Sequence, residues 1–133
     1  MATVWVVDDE PDVRELFNIT ITMAGHQTEI AKDGKEATEK LASQGPPDLI
    51  VLDLMMPRLD GFGVLSHIRS DLANKPVRVL VATAKVLEEK EKDLLTGWPV
   101  VGVLNKGEID IGRMVMNIAE ALSHNPENPK KPS

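Results

Sequence analysis

Two apolar runs of strand length each stop at aspartate: Val4-Trp5-Val6-Val7 runs into Asp8-Asp9, and Leu49-Ile50-Val51-Leu52 runs into Asp53. Segments of helical period separate them, so the two runs read as parallel strands joined by crossover connections. Near-continuous apolar strands are covered on both faces, which requires helices above and below the sheet. Parallel strands end at one edge, so Asp8, Asp9 and Asp53 meet at the crevice where open α/β sheets bind ligands. At about 4 Å and an effective dielectric near 20, two like charges repel by roughly 4 kcal/mol, so three carboxylates there need a metal or a lysine to offset them. Lys106, at the end of a later apolar run, supplies the lysine.

The rest of the chain repeats this alternation and predicts five strands and five helices. The strands are read at Thr3 to Asp8, Gln27 to Ala31, Asp48 to Asp53, Val77 to Thr83 and Val100 to Leu104. The second is only alternately apolar and belongs at an edge, while the third is central. The first helix opens at Pro11, places Val13, Leu16, Phe17, Thr20 and Ala24 on one face, and stops at Gly25. Gly34 to Ser43 is a charged surface helix. Asp60-Gly61 opens a helix from about Gly63 to Leu72. Val86 to Leu95 has a thin apolar stripe among many charges and is expected to be loosely held. The last helix, Ile109 to Leu122, presents Ile111, Met114, Val115, Ile118 and Leu122. One domain over residues 1–124 is expected, with a flexible Pro-rich tail or linker stub over 125–133 that buries nothing.

Composition narrows the function classes. Fifteen basic against 21 acidic residues, a net charge of -6, argue against direct nucleic-acid binding, which needs concentrated Lys and Arg. Without cysteine there are no disulfides or thiolate metal sites, and a cytoplasmic location is expected. No signal peptide or membrane span is read. His26, His67 and His124 lie on separate segments and read as surface or capping residues.

Collected in order, the strand ends deliver Asp8 and Asp9, Asp53, Thr83 and Lys106 to one crevice. A lone aspartate at a strand end is usually a turn former. Four strands that each present a polar group after an apolar run form a site. The residue types suit phosphoryl transfer: a carboxylate nucleophile gives an acyl phosphate, and a hydroxyl, an ammonium and a divalent ion stabilise charge on the peripheral oxygens. Magnesium fits, since it takes hard oxygen ligands and keeps several waters.

These residues resemble the receiver domain of response regulators in two-component signalling. The likeness covers Thr3 to Leu122 and is carried by Val6-Val7-Asp8-Asp9-Glu10-Pro11, by Leu52-Asp53-Leu54-Met55-Met56-Pro57-Arg58-Leu59-Asp60-Gly61, by Val81-Ala82-Thr83-Ala84 and by Asn105-Lys106. It implies a doubly wound five-stranded parallel sheet of flavodoxin-like order 2-1-3-4-5 in an α/β/α sandwich. It implies Asp53 as phosphoacceptor, Mg2+ held directly by Asp9, Asp53 and the Met55 carbonyl and through water by Asp8, Thr83 on the phosphoryl group, and Lys106 paired with Asp53 and then with the phosphoryl oxygen. The implied partners are a sensor histidine kinase or phosphotransfer protein as donor and a downstream effector protein as reader. A monomer or weak homodimer is expected. The implied role is signalling, with members catalysing only their own phosphoryl transfer and dephosphorylation.

The chain departs from the family pattern in two places. The residue after Lys106 is Gly107 where proline, often cis, is usual; a cis bond without proline costs roughly 2.5–4 kcal/mol, so a trans or reshaped loop is expected. The switch position three residues before the lysine, usually Tyr or Phe, is Val103, and the chain has no tyrosine. Trp98, in a Thr96-Gly97-Trp98-Pro99 turn about two residues longer than usual, reads as a partly buried anchor rather than a replacement ring. A phosphorylation-independent pseudo-receiver that binds a partner is the alternative function. A phosphohydrolase is disfavoured because its second aspartate would stand at Met55, a flavin site because Asp8-Asp9-Glu10 repels phosphate, and a nucleotide site because there is no P-loop.

Overall fold

The computed structural model describes residues 1–72 and 75–127. Five parallel strands, β1 (Thr3–Val7), β2 (Gln27–Ala31), β3 (Leu49–Asp53), β4 (Val79–Thr83) and β5 (Val100–Asn105), form one sheet in the order β2-β1-β3-β4-β5. Five helices alternate with them: α1 (Pro11–Met23), α2 (Gly34–Gln44), α3 (Gly61–Asp71), α4 (Glu89–Leu94) and α5 (Ile111–Ser123). This is the expected doubly wound sandwich. Every residue of β3 and β4 is buried, whereas the edge strand β2 buries only Ala31. Alternation along the strands divides the core in two. Val4, Val6, Leu49, Val51, Leu80 and Ala82 meet Phe17 and Ile21 of α1 and Met114, Ile118 and Ala121 of α5. Trp5, Val7, Ile50, Leu52, Val79 and Val81 meet Ala37 and Leu41 of α2 and Val64, Leu65 and Ile68 of α3.

Local chemistry sets the helix starts. Pro11 occupies the first turn of α1, and Asp33, Asp60 and Asp110 accept hydrogen bonds from the amides of Glu36, Gly63 and Arg113 to cap α2, α3 and α5. Two glycines permit close approach of backbone: a Cβ at Gly34 would lie 2.0 Å from the Leu59 carbonyl oxygen, and one at Gly61 would lie 2.4 Å from that of Asp53. The loop after β3 is therefore pressed against the starts of α2 and α3. Within it Arg58 has a φ of 68°.

Several boundaries and faces differ from the expectation. α3 begins at Gly61, because Asp60 is its cap, and β4 begins at Val79. α1 turns Ile21 inward while Leu16 is 38% exposed, and α5 buries Ala121 while Ile111 and Val115 stand at 55% and 40% exposure. Both helices pack along one narrow line against the sheet, so residues one step off that line face water. α4 is one and a half turns rather than ten residues, and none of its side chains is buried, so the helical propensity of its neighbours found no apolar surface to stabilise it. At the start of the expected tail, the Pro126 carbonyl accepts hydrogen bonds from the Val77 amide at 3.2 Å and from Trp98 Nε1 at 3.1 Å. The rest of that expectation, residues 128–133, lies outside the described residues. No helix among those described is long and apolar enough to cross a membrane.

Candidate functional site

Sheet register assembles the site. Val7 pairs with Leu52, so Asp8 emerges beside Asp53, the last residue of β3; Asp53 pairs with Ala82, one residue before Thr83. Thr83 pairs with Asn105, and Lys106 follows directly. Asp8, Asp53 and Thr83 are 2–3% exposed at the ends of strands whose other residues are apolar. One carboxylate oxygen each from Asp8, Asp9, Glu10 and Asp53 lie within 4.8 Å of one another. Burial of Asp8 and Asp53 side by side is costly unless positive charge enters the same space.

Lys106 enters it. Its Nζ lies 2.7 Å from Asp8 Oδ2, 3.3 Å from Asp53 Oδ2 and 3.4 Å from Glu10 Oε1. The expected pair with Asp53 is thus present, and Asp8 is the closer of the two. The hydrogen bonds of Asp8 are taken up: its amide donates to the Ala31 carbonyl at 3.1 Å, its carbonyl accepts from Arg14 Nη1 at 2.8 Å, and its Oδ1 accepts from the Glu10 amide at 2.9 Å. Asp53 is different. Its Oδ1 accepts from the Met55 amide at 3.2 Å, but its Oδ2 is the one fully buried side-chain oxygen among the described residues without a hydrogen bond. At 3.3 Å the Lys106 ammonium forms an ion pair with it.

Electrostatics follow from this asymmetry. Burial, with the Asp8 charge adding to it, pushes the Asp53 carboxyl up to about 6, against the lowering effect of the Met55 amide and of Lys106. For Lys106, burial pulls the pKa down, but the bond to Asp8 and the charges of Asp8, Asp53 and Glu10 outweigh it and leave a net rise. The lysine stays charged, and Asp53 is held as a poorly satisfied carboxylate whose free oxygen faces the acidic cluster. Such an oxygen suits a divalent cation of hard character, and the donor set of Asp9, Asp53 and Glu10 oxygens beside the engaged Asp8 fits magnesium.

Thr83 Oγ1 accepts the Lys85 amide at 3.1 Å, which leaves its hydrogen for donation. Met55 lies in the loop after Asp53 with its side chain 57% exposed. Val103 pairs with Val81 and is 48% exposed, because α4 does not cover that side of β5; it contributes nothing to the crevice. After Lys106 the chain makes a 3-10 turn, Lys106–Glu108, with Asn105 accepting the Gly107 amide at 2.8 Å. The peptide before Gly107 is not cis; among the described residues the cis bond is Trp98-Pro99. Trp98 packs against the α2–α3 side of the core at the amino end of β5, far along the strand from Lys106, as an anchor. The three histidines stay outside the site: His26 Nδ1 accepts the Ala2 amide, His67 lies 3.2 Å from Asp71 on α3, and His124 follows α5.

Two contributors carry little sequence signal as site residues: Glu10, in the turn that holds the aspartate pair, and Arg14, one helical turn further on, which holds the Asp8 carbonyl.

Comparison with known proteins gives consistent results. The family model of the response regulator receiver domain matches residues 4–118. Response regulator MprA of Mycolicibacterium vanbaalenii is 45% identical over 83 residues, 62% of this chain and 36% of that protein. The DNA-binding dual master transcriptional regulator RpaA of a Synechocystis species is 40% identical over 84 residues, 63% of this chain and 34% of that protein. The matched region is about a third of the length of these curated relatives. Among solved structures, the receiver domain of Francisella response regulator 1452 gives a TM-score of 0.76 at 28% identity, covering 92% of this chain and 97% of that one. TrrA of Thermotoga maritima, in complex with Mg2+ and BeF, gives 0.74 at 28% identity, covering 91% and 99%.

Proposed function

The chain belongs to the response regulator receiver domain family, and from that premise we propose that Asp53 accepts a phosphoryl group and that the modified domain signals to a protein partner. The observation that carries this reading is the buried, hydrogen-bond-free Asp53 Oδ2 facing an acidic cluster, with Lys106 alongside. In this reading Asp53 attacks phosphorus and forms the acyl phosphate, and the donor, a phosphohistidine on a sensor kinase or phosphotransfer protein, keeps its imidazole. Asp9 and Asp53, with the Met55 carbonyl, would hold Mg2+, and Asp8, whose carboxylate oxygens already serve Glu10 and Lys106, would reach it through water. The ion supplies charge neutralisation on the phosphoryl oxygens and between the carboxylates.

The chain's own groups do the rest. Lys106 exchanges part of its hold on Asp8 for a phosphoryl oxygen, and the Thr83 hydroxyl donates its free hydrogen to another. The Met55 amide fixes the Asp53 rotamer through its Oδ1. No enzyme activity toward an outside substrate is included. The protein partner reads the side formed by α4, β5 and α5, where Val103, Ile111 and Val115 leave apolar surface exposed. Incubation with acetyl phosphate and Mg2+ followed by intact mass tests the reading. Wild type should gain one phosphoryl group and Asp53→Asn none; failure of wild type to gain it at concentrations that label an ordinary receiver would refute the proposal.

A second reading, a partner-binding module indifferent to phosphorylation, draws support from Val103 in place of the usual ring. It requires that the partner bind wild type and Asp53→Asn equally, with acetyl phosphate making no difference.

A further inference from the structure

A helix that buries none of its side chains must be held by its ends, and α4 is held at both. At its start Lys85 Nζ meets Glu91 Oε2 at 2.5 Å, Glu91 and Glu88 form a reciprocal capping box, and the Lys85 amide is the one bonded to Thr83 Oγ1. At its end stands Arg69 of α3. This guanidinium donates Nη1 to the Leu94 carbonyl at 2.7 Å, Nη2 to that of Thr96 at 3.1 Å and Nε to that of Trp98 at 3.0 Å. One planar fork thereby satisfies three carbonyls at the end of α4 and in the turn that follows, a geometry that no ammonium reproduces.

The turn in turn holds the segment after α5. Trp98 Nε1 and the Val77 amide share the Pro126 carbonyl, and Arg78 donates Nε to the His124 carbonyl at 2.7 Å and Nη1 to that of Asp48 at 3.0 Å. Residues 124–126 are thus strapped across the amino ends of β3 and β4 and the Trp98 turn, on the side of the sheet opposite the phosphoacceptor crevice.

We propose that the Arg69 clasp and the Trp98–Pro126 bond form a relay that releases the strap after α5 when Asp53 is modified. The proposal rests on the phosphoacceptor reading and adds the element that answers to it. A change at Thr83 is passed to α4 through Lys85 and Glu91. Because one guanidinium holds the carbonyls of Leu94, Thr96 and Trp98 together, a displacement of α4 is carried through it to the Trp98 turn. The relay does not use the position of Val103. It makes the docking of residues 124–126 sensitive to the state of Asp53.

Hydrogen exchange of the Trp98 indole and of the Val77 amide, followed by NMR with and without Mg2+ and beryllofluoride, tests this, with Trp98→Phe identifying the indole signal. Wild type should show both groups exchanging about fivefold faster once loaded, the factor equivalent to about 1 kcal/mol or one net hydrogen bond. Arg69→Lys keeps the charge and loses the fork; its two groups should already exchange at the faster rate and change no further on loading. Loading that shifts the Met55 and Lys85 amides while leaving Trp98 and Val77 unchanged, or an Arg69→Lys protein that responds as wild type does, would overturn the relay and leave the phosphoacceptor reading intact. Absence of any shift at Met55 and Lys85 would bring down both.

Discussion

Replacing Asp53 by asparagine should make the metal-free protein more stable at neutral pH, although it removes the proposed phosphoacceptor. Asp53 is raised from 3.8 to about 6, chiefly by burial and then by Asp8. A carboxyl whose folded pKa lies above its unfolded value adds stability that is complete below about pH 3.8 and is lost as pH rises through about 6. At about 1.36 kcal/mol per pKa unit that loss approaches 3 kcal/mol, and solvent screening in an open crevice brings it to about 1–2 kcal/mol. Asparagine keeps the shape and can accept the Met55 amide, yet has no charge to desolvate. Urea unfolding at pH 7.5 should therefore show Asp53→Asn ahead by about 1–2 kcal/mol, a rise of roughly 4–7 °C in Tm for a domain of this size. The advantage should shrink as pH falls from about 6 toward 4, where the wild-type carboxyl is protonated in both states. Mg2+ should erase it at pH 7.5 by stabilising wild type alone. An asparagine variant less stable than wild type at pH 7.5 without metal, or a difference that does not change with pH, would refute the reasoning.

Lys106→Met should act in the opposite sense, since it leaves Asp8 and Asp53 facing each other: a loss of about 2–4 kcal/mol without metal, largely recovered with Mg2+, measured by the same unfolding curves. Gly61→Ala places a methyl 2.4 Å from the Asp53 carbonyl oxygen and should cost at least about 2 kcal/mol while slowing labelling by acetyl phosphate, whereas Gly25→Ala, whose φ of 92° strains alanine far from the crevice, should cost stability but leave the labelling rate unchanged. Arg14→Met removes the bond to the Asp8 carbonyl and should weaken Mg2+ binding by about fivefold in calorimetric titration, the equivalent of one net hydrogen bond. Unchanged affinity would show that the Asp8-Asp9 turn holds itself.

The strands and the order in which they bring Asp8, Asp53, Thr83 and Lys106 together could be read from the chain because both depend on local signals. Apolar runs of strand length ended in polar residues, and parallel register put those ends at one edge. What depends on contacts between distant backbone groups could not be read that way. Nothing local distinguishes Arg69 from any basic residue near a helix end, because its three acceptors are carbonyls in a turn 25 to 29 positions away. Nothing in the side chain of Pro126 marks a contact, because it is its backbone carbonyl that Trp98 and Val77 hold. Lys106 reaches Asp53 as expected, and its closer contact with Asp8 depends on how the turn after β1 folds. The short α4 shows the converse error: propensity for helix was present from Val86 to Leu95, but without an apolar face to bury only the capped middle formed.

The most direct test of the central proposal is to find the residue that carries the phosphoryl group. Protein incubated with acetyl phosphate and Mg2+, quenched with borohydride to reduce an acyl phosphate to the alcohol, and digested for peptide mass should yield homoserine at position 53 and nowhere else. Reduction at Asp8 or Asp9 instead, or at no aspartate in a protein that has taken up phosphate, would contradict it.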